Sequence, residues 1–344
     1  MSKYIIKIHR LQGGINIFAK IIGTGSYIPD LVVDNNAFTK LVDTSDEWIV
    51  SHTGISERRI SAIEMRDMAE RAALNALENA GVDAGELDMI IVSSVTQDYI
   101  YPSTACILQG RIGANRAVGF DISAACCGFL YALDMVRTYI IAGRVKKALI
   151  VSAELMSKMV DFTDRSTCIL FGDGAGAVVV SAVEDDESAV LSTFIHSDGA
   201  GAGLLYAKDI EFKNPFTEAP APLYKDSKEH YLYMNGNEIY KFAVRMMESA
   251  ASKVLEDAGM TPDDIDLFVP HQANLRIIKS MAQRYKLNMD KVYINIDKYA
   301  NTSSASIPIC LDEVNRGGRV KKGGIIVMAG VGSGLTYGSA LIRW

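Results

Sequence analysis

The chain has 344 residues, 49% of them hydrophobic and 22% charged, so it can bury a large core as two small domains or one duplicated domain. Its net charge of −6 argues against general binding of nucleic acid, which usually needs a basic surface. No apolar run approaches the ~20 residues of a membrane-spanning helix. We therefore expect neither a nucleic-acid nor a membrane partner.

The first 16 residues are expected to form a short N-terminal extension rather than a signal peptide. Lys and His interrupt their apolar run, and no small-residue cleavage site follows. The five cysteines are irregularly spaced and odd in number, which fits a reducing cytosol better than a disulfide framework. Cys126 and Cys127 are adjacent, which is not the spacing of paired zinc ligands. The sequence thus predicts a cytoplasmic protein, and this cysteine pair does not indicate a metal site.

Strand-like apolar runs alternate with amphipathic helices along almost the whole chain, which predicts an α/β architecture. In the first half, we predict strands over 89–93, 148–152 and 175–181 and a helix over 128–141. In the second half, we predict helices over 236–258, 274–285 and 304–316 and strands over 267–269, 292–296 and 325–329. The helix over 128–141 is apolar nearly all round, so we expect it to be central and buried.

Two parts of the sequence repeat each other. Residues 72–92 align without a gap on residues 250–270, and the pentapeptide GRVKK at 143–147 recurs at 318–322. In both copies the first helix ends at Ala-Gly, where glycine supplies a left-handed cap. Chance recurrence of a common helix-capping pattern is the alternative explanation, but the intact pentapeptide and the consistent order favour a duplication.

The duplication divides the chain into an N-terminal half, 17–186, and a C-terminal half, 187–344. Anchored on the pentapeptide, Cys126 falls on Asn301, and a pseudo-twofold axis would bring such equivalent loops together. The segment 198–233 stands outside the repeat and is rich in glycine, proline and charge, so we predict a long surface excursion.

Cys126 is a candidate nucleophile. It lies between a predicted strand and the helix that we predict from Gly128, where backbone N–H groups and the helix dipole favour a thiolate. A buried structural cysteine is the alternative, since cysteine is commonly buried. Spacing alone does not choose between Cys126 and Cys127.

His271 and Asn301 are candidate partners of this cysteine. His271 follows a predicted strand, at the carboxyl end where α/β sheets place ligands. Asn301 opens a predicted helix, where its commoner role is that of an N-cap. Each residue alone has a structural interpretation, but three such residues at loop-to-helix junctions together indicate an active site.

Two glycine-rich motifs differ in their order relative to a strand. Residues 171–176 precede an apolar run, whereas a dinucleotide-binding fingerprint places the strand before the glycines. We therefore predict a tight turn into a strand there. Residues 330–334 follow a strand and suit backbone donors aimed at an oxyanion, with a plain turn as the alternative.

Three basic residues, Arg276, Lys279 and Arg284, share one face of a predicted helix just after His271. A solvated face is the usual meaning of this spacing. On an acidic protein, beside a candidate site, the same face is a candidate docking surface for an acidic partner.

Together these motifs resemble β-ketoacyl-acyl-carrier-protein synthase III, of the thiolase superfamily, from about residue 17 to residue 344. The motifs that carry the resemblance are IGTGSYIP at 22–29, DTSDEWI at 43–49, AACCGF at 124–129, FGDGAG at 171–176, PHQAN at 270–274, NTSSAS at 301–306 and GSAL at 338–341. The resemblance implies a duplicated five-layer αβαβα fold and a homodimer. It also implies that an acyl-CoA primer condenses, with loss of carbon dioxide, with malonyl-acyl carrier protein to initiate fatty acid synthesis. No metal or redox cofactor is implied, and coenzyme A enters only as the substrate thioester.

The resemblance also implies roles for individual residues. Cys126 would be the nucleophile, with His271 and Asn301 as catalytic partners and the amides of Cys126 and Ser333 as the oxyanion hole. The residues implied to bind coenzyme A are Trp48, which would stack on adenine, Arg165, Gly236, Asn274 and Arg276. Tyr101, reaching across the dimer, and Cys168 and Leu170 would shape the acyl pocket. Arg276, Lys279 and Arg284 would dock the carrier protein.

The chain departs from the family pattern at three places. His52 stands where the family often has an arginine, and Ala300 replaces a glycine. Ser333 lies in Val-Gly-Ser-Gly in place of Phe-Gly-Gly-Gly. These changes bear on substrate choice more than on the reaction.

Three other functions stay open at this stage. A condensing enzyme of secondary metabolism, of the quinolone or polyketide starter type, would keep the three catalytic residues and change the acceptor. A cysteine thioesterase would release free acid without consuming malonyl groups. A non-catalytic subunit would usually lack the nucleophile, which this chain has. The sequence does not identify the primer.

Overall fold

The structure is a computed structural model that describes residues 16–185, 187–208 and 230–344. Nearly all of the predicted N-terminal extension, and residues 209–229 of the predicted excursion, lie outside the described residues. Within these three ranges, no helix is long and apolar enough to cross a membrane.

The helices are α1 (Asn35–Phe38), α2 (Asp46–Thr53), α3 (Met65–Ala80), α4 (Thr104–Ile112), α5 (Gly128–Ile141), α6 (Arg165–Cys168), α7 (Gly236–Asp257), α8 (Leu275–Arg284), α9 (Ile296–Tyr299) and α10 (Ser306–Arg316). The strands are β1 (Phe18–Tyr27), β2 (Leu31–Asp34), β3 (Glu57–Ile60), β4 (Met89–Ser93), β5 (Val118–Ile122), β6 (Lys147–Leu155), β7 (Asp173–Val183), β8 (Ala189–Ser197), β9 (Leu205–Tyr206), β10 (Tyr233–Met234), β11 (Leu267–Pro270), β12 (Ile325–Gly332) and β13 (Thr336–Arg343).

Two large sheets follow the same strand order. The first runs β1-β7-β6-β4-β5, and the second runs β8-β13-β12-β11. The equivalent pairs β4 with β6 and β11 with β12 are parallel, and β5 also pairs in parallel with β4. The remaining pairs of both sheets are antiparallel. Each half of the chain therefore builds one sheet of the same topology.

Three layers of helices, one between the sheets and one on each outer face, pack against these sheets through apolar side chains. The central layer contains α5 and α10, whose Phe129, Leu133, Ile307 and Leu311 share one buried core with both sheets. Helices α3 and α4 cover the outer face of the first sheet, and α7 and α8 cover that of the second. The result is the five-layer αβαβα fold, and the expectation that the helix over 128–141 is central and buried is confirmed.

Most of the predicted elements are present, with one clear exception. The strand predicted over 292–296 is wrong: Val292 makes a single bridge to Phe268, and α9 begins at Ile296. The chain leaves the sheet because the N–H of Asn295 donates to the side chain of Gln272, at 3.1 Å, instead of to a neighbouring strand. The fifth strand of the second sheet is thereby reduced to one bridge.

Candidate active site

A cavity of about 910 Å³ collects most of the predicted site residues. Those that line it are Cys126, Leu170, Gly236, His271, Asn274, Arg276, Asn301 and Ser333. Strand β11 ends immediately before His271, and β12 ends immediately before Ser333. Cys126 and Asn301 lie just before the buried helices α5 and α10. The first half of the chain thus supplies the cysteine, and the second half supplies the histidine and the asparagine.

Cys126 lies in a single 3₁₀ turn, 125–127, that leads into α5. The turn is tightly constrained: Ala125 has φ of 47°, and Gly128 leaves no room for a Cβ, which would lie 1.7 Å from Ser93 Oγ. Burial raises the pKa of the Cys126 thiol to about 12, although its hydrogen bond to Ser303 acts in the opposite direction. Burial therefore raises the pKa of Cys126 by more than the predicted effect of the helix dipole lowers it.

His271 is buried, with 1% of its surface exposed, and its Nδ1 lies 2.6 Å from the Ser306 hydroxyl. Burial lowers the pKa of His271 to about 4, so the imidazole is neutral at neutral pH. The N–H of Gln272 donates to the same Ser306 oxygen, at 3.4 Å. Because this oxygen already accepts one hydrogen bond, we expect the Ser306 hydroxyl to donate its proton to Nδ1. This arrangement favours the tautomer of His271 with the proton on Nε2.

Asn301 is buried, and its side chain is oriented by its own loop. Oδ1 accepts the N–H of Ser303 at 2.8 Å, which leaves the Nδ2 amide as a donor. The backbone N–H of Asn301 donates to the carbonyl of Leu170 at 3.0 Å and so anchors the loop beside the cavity. Ala300 has φ of 56°, so this alanine adopts, at a cost of about 1–3 kcal/mol, a conformation that glycine adopts freely.

The loop after β12 packs directly against the nucleophile. A Cβ at Gly332 would lie 2.8 Å from the backbone nitrogen of Cys126, so only glycine permits this approach. The Ser333 hydroxyl donates to the carbonyl of Leu205, and Thr336 Oγ1 donates to the carbonyl of Ala124 at 3.0 Å. Ser333 is not among the residues with positive φ, so its side chain fits without left-handed strain. This loop places Ser333, the second residue of the predicted oxyanion hole, in the lining of the cavity that Cys126 also lines.

Trp48 and Arg165, both predicted to bind coenzyme A, are not among the residues that line the cavity. Trp48 contacts Arg165 and the cavity-lining His52. The Arg165 guanidinium lies 4.9 Å from the Trp48 ring centroid, and the His52 ring stacks on Trp48 at 4.2 Å with an interplanar angle of 18°. Arg165 also donates to the carbonyl of Asp43, at 2.8 Å. The residue that departs from the family pattern, His52, is thus a ring partner of the tryptophan, and it also lines the cavity.

Helix α8 carries the predicted basic face. Asn274 caps this helix by accepting the N–H of Arg276 at 2.8 Å, and it donates to the carbonyl of His52 at 3.1 Å. Arg276 and Lys279 are exposed, whereas Arg284 forms an ion pair with Glu248. The positive charge of Arg284 is therefore partly neutralised within the chain.

The structure does not bring two of the predicted acyl-pocket residues to this cavity. Tyr101 is 84% exposed and does not line the cavity of its own chain. Cys168 is buried in an apolar cluster with Ile49 and Ile296, because the short helix α6 turns its side chain into that cluster. Leu170 is the only one of the three predicted residues that lines the cavity.

Three side chains that were not predicted from the sequence contact the catalytic residues directly or through one another: Ser303, Ser306 and Glu154. Ser303 contacts the Cys126 sulfur at 3.6 Å, and Ser306 contacts His271. Both serines lie in the run 301–306, so the density of hydroxyls after Asn301 was the available signal. Nothing in the sequence marked Glu154, which lies 149 positions from Ser303 along the chain.

Comparisons with known proteins agree with this arrangement. Family models described as 3-oxoacyl-[acyl-carrier-protein (ACP)] synthase III, and as its C terminal part, match residues 120–210 and 255–344. The chain is 46% identical to a β-ketoacyl-[acyl-carrier-protein] synthase III of Clostridium acetobutylicum over 94% of this chain and 98% of the relative.

Solved structures show the same similarity. The 3-oxoacyl-[acyl-carrier-protein] synthase III of Aquifex aeolicus matches with a TM-score of 0.87 and 45% identity, over 95% of this chain and 100% of that one. A priming β-ketosynthase from the R1128 polyketide biosynthetic pathway matches with a TM-score of 0.85 and 36% identity, over 94% of this chain and 96% of that one.

Proposed function

Because the chain belongs to the β-ketoacyl-[acyl-carrier-protein] synthase III family, we propose that it joins an acyl-CoA primer to malonyl-acyl carrier protein and so initiates fatty acid synthesis. Membership makes the chain an acyltransferase of the condensing type. The observation that carries the proposal is a single cavity lined by a cysteine, a neutral histidine and an asparagine amide, Cys126, His271 and Asn301.

In the first half-reaction, the Cys126 sulfur attacks the thioester carbonyl of acyl-CoA, and coenzyme A leaves as its thiol. The N–H groups of Cys126 and Ser333 are the proposed donors to the oxyanion, and removal of one such donor typically costs about 3 kcal/mol. The product of this step is an acyl group on the cysteine, so the reaction has a ping-pong order.

In the second half-reaction, malonyl-carrier protein occupies the space that coenzyme A left. The Nε2–H of His271 and the Nδ2–H of Asn301 donate to the thioester carbonyl. They stabilise the enolate that forms as carbon dioxide leaves, and its carbon attacks the acyl-cysteine. A neutral histidine suits this role because it donates without giving up a proton. Loss of carbon dioxide supplies the carbanion, so the proposed chemistry needs no metal or redox cofactor.

The outer part of the cavity is the proposed coenzyme A site. Trp48 and Arg165 would hold the adenine, with Gly236, Asn274 and Arg276 along the phosphopantetheine arm. The exposed charges of Arg276 and Lys279, and the ion-paired Arg284, are the proposed docking surface for the acidic carrier protein. His52, which stacks on Trp48, would then border the nucleotide.

A homodimer is part of the proposal. Strand β5 lies at the edge of the first sheet, and its first residue, Val118, is 61% exposed. Ile100 and Tyr101 are 75% and 84% exposed. A sheet edge with an exposed apolar residue, and large exposed apolar side chains, are both typical of an interface. In such a dimer, Tyr101 would reach the acyl pocket of the partner subunit. The five free cysteines support a reducing compartment, and we propose the cytoplasm.

Intact-protein mass spectrometry tests the reaction directly. The protein is incubated with a panel of acyl-CoA primers and then with malonyl-carrier protein. We expect a mass gain at Cys126 that is discharged as 3-oxoacyl-carrier protein, and the primer that gives it fastest is the preferred one. Discharge to free acid would indicate a thioesterase instead. Discharge only to another acceptor would indicate a condensing enzyme of secondary metabolism, the activity class of the similar polyketide priming synthase.

A further inference from the structure

A fully buried carboxylate lies behind the nucleophile and is not used by the mechanism described above. Glu154, in β6, has no exposed surface, and its carboxylate accepts hydrogen bonds from five donors in the described part of the chain. The donors are Ser94 Oγ at 3.2 Å, Val95 N at 3.1 Å, Thr96 Oγ1 at 2.9 Å, Ser303 Oγ at 3.0 Å and Ser304 Oγ at 2.7 Å. Burial of a carboxylate costs desolvation free energy. A buried carboxylate close to a reactive cysteine is therefore a candidate functional group.

Ser303 connects this carboxylate to the nucleophile. The Cys126 thiol donates to Ser303 Oγ at 3.6 Å, and the Ser303 hydroxyl donates to Glu154 Oε1 at 3.0 Å. Both bonds point the same way, from sulfur to carboxylate. Ser303 has φ of 51°, in the left-handed region, and this unusual backbone directs its hydroxyl between the two groups. Ser303 also lines the cavity, whereas Glu154 does not.

The charges favour transfer along this path over release of a proton to solvent. Burial raises the pKa of both the Cys126 thiol and Glu154, and the negative charge of Glu154 raises the pKa of Cys126 further. Two buried negative charges would repel each other. Moving one proton from Cys126 to Glu154 instead moves a single buried charge from the carboxylate to the sulfur.

The other titratable groups near this path do not offer a better base. Burial lowers the pKa of His271, and its Nδ1 faces Ser306. Burial also raises the pKa of the neighbouring Cys127 thiol, which keeps it protonated. Lys158 donates to the carbonyls of Thr96 and Gln97, at 2.6 and 2.9 Å, and its positive charge acts on Glu154.

We propose that Glu154, acting through the Ser303 hydroxyl, accepts the proton of the Cys126 thiol when the thioester is attacked and returns it to the departing sulfur. The proposal rests on the function proposed above. As the bond from Cys126 sulfur to the acyl carbon forms, the thiol proton passes to Ser303 Oγ, and the Ser303 proton passes to Glu154 Oε1. As the bond to the coenzyme A sulfur breaks, Glu154 returns the proton to Ser303 Oγ, and the Ser303 hydroxyl proton passes to the coenzyme A sulfur, so that the Glu154 carboxylate is restored. Ser303 contacts the reacting sulfur, and Glu154 is a positioning residue that acts through it.

Alkylation of Cys126 by iodoacetamide tests this path without any acyl substrate, so its result is independent of the proposed condensation. The rate is measured from about pH 5.5 to 9, by mass spectrometry of the Cys126 peptide, which separates it from the exposed Cys106. If the Cys126 proton passes to Glu154 and not to solvent, the alkylation rate of the wild-type protein does not depend on pH around neutrality. In Ser303→Ala and in Glu154→Gln, we expect a rate that rises about tenfold per pH unit and is at least about tenfold lower at neutral pH.

Ser304→Ala is the matched control. It removes a donor to the same carboxylate oxygen but leaves the path from Cys126 intact. We expect it to keep the pH-independent rate, within about twofold of wild type. A retained plateau in both Ser303→Ala and Glu154→Gln would overturn the proposal, as would an equal loss of the plateau in Ser304→Ala. If Glu154→Gln does not fold, by thermal melting, the comparison of the two serine variants still decides the question.

Discussion

The Ser306 hydroxyl lies 2.6 Å from Nδ1 of His271, and a hydrogen bond donated by this hydroxyl leaves the imidazole proton on Nε2. Because the Ser306 oxygen also accepts the N–H of Gln272, its proton is available to Nδ1. The histidine then carries its own proton on Nε2, where a donor to a thioester carbonyl is needed. Burial keeps the imidazole neutral, and donation by this one hydroxyl favours the Nε2–H tautomer.

Replacement of Ser306 by Ala should therefore impair decarboxylation more than acylation. Without the hydroxyl, the proton can occupy either ring nitrogen, and we expect malonyl decarboxylation to fall about 10- to 100-fold. Acylation by acyl-CoA should change by less than about threefold, since His271 is not its base. Carbon dioxide release and the burst of free coenzyme A measure the two steps separately. Equal loss of both would contradict the assignment, and Ser304→Ala, which does not contact the histidine, is the control.

Two neighbouring cysteines give a direct test of the nucleophile. Cys126→Ser should lower acyl transfer by about 10⁴-fold or more, because the hydroxyl is a far weaker nucleophile at neutral pH. It should keep part of the malonyl decarboxylation, since His271 and Asn301 remain. Cys127→Ala removes a thiol that is completely buried and should keep most of the acyl transfer, with a loss of about 1 kcal/mol of stability. Loss of acylation in Cys127→Ala, with Cys126→Ser still active, would reverse the assignment.

The lowered pKa of His271 predicts a specific loss of stability in acid. Above about pH 6.5 the imidazole is neutral in both folded and unfolded chains, so its full contribution to stability is present. As the pH falls below that value, the unfolded chain binds a proton that the folded chain does not, until the folded pKa of about 4 is reached. The expected loss is about 3 kcal/mol of unfolding free energy across this interval.

Urea unfolding of wild type and His271→Gln at several pH values measures this effect. The wild type should lose more stability than the variant between neutral pH and about pH 4.5. Parallel curves for the two proteins would show that the histidine titrates normally. In the same range, decarboxylation by the wild type should not fall with a pKa near the ordinary histidine value.

The contact between Trp48 and Arg165, beside the cavity-lining His52, predicts a selective effect on nucleotide binding. Trp48→Ala removes the ring that Arg165 covers at 4.9 Å. We expect the KM for acyl-CoA to rise about tenfold with little change in kcat, because a stacking contact contributes on the order of 1 kcal/mol. Acyl-pantetheine lacks the adenine and should react equally well with both proteins. A similar loss with both substrates would mean that Trp48 supports the fold instead.

Much of the fold follows from local patterns. The apolar runs at 89–93 and 325–329 are strands because continuous apolar segments of that length are buried on both faces of a sheet. The helix over 128–141 was predicted with its observed bounds from a segment that is apolar nearly all round. The strand predicted over 292–296 has the same kind of pattern, but the Gln272 side chain takes the N–H that a strand needs. Such competition is visible only when distant residues are brought together.

The sequence by itself determined the nucleophile and its partners as candidates, since the motifs around Cys126, His271 and Asn301 are local and their order is specific. Only the tertiary structure decided how these groups are protonated and connected. Burial sets the pKa of His271, and burial is a property of the packed layers. The contact of Ser303 with Glu154, 149 positions away, depends on the left-handed backbone of Ser303. A serine in the sequence does not indicate this conformation. Side-chain direction and desolvation arise from packing. A sequence pattern therefore predicts which residues form the site better than it predicts their protonation states and hydrogen-bond partners.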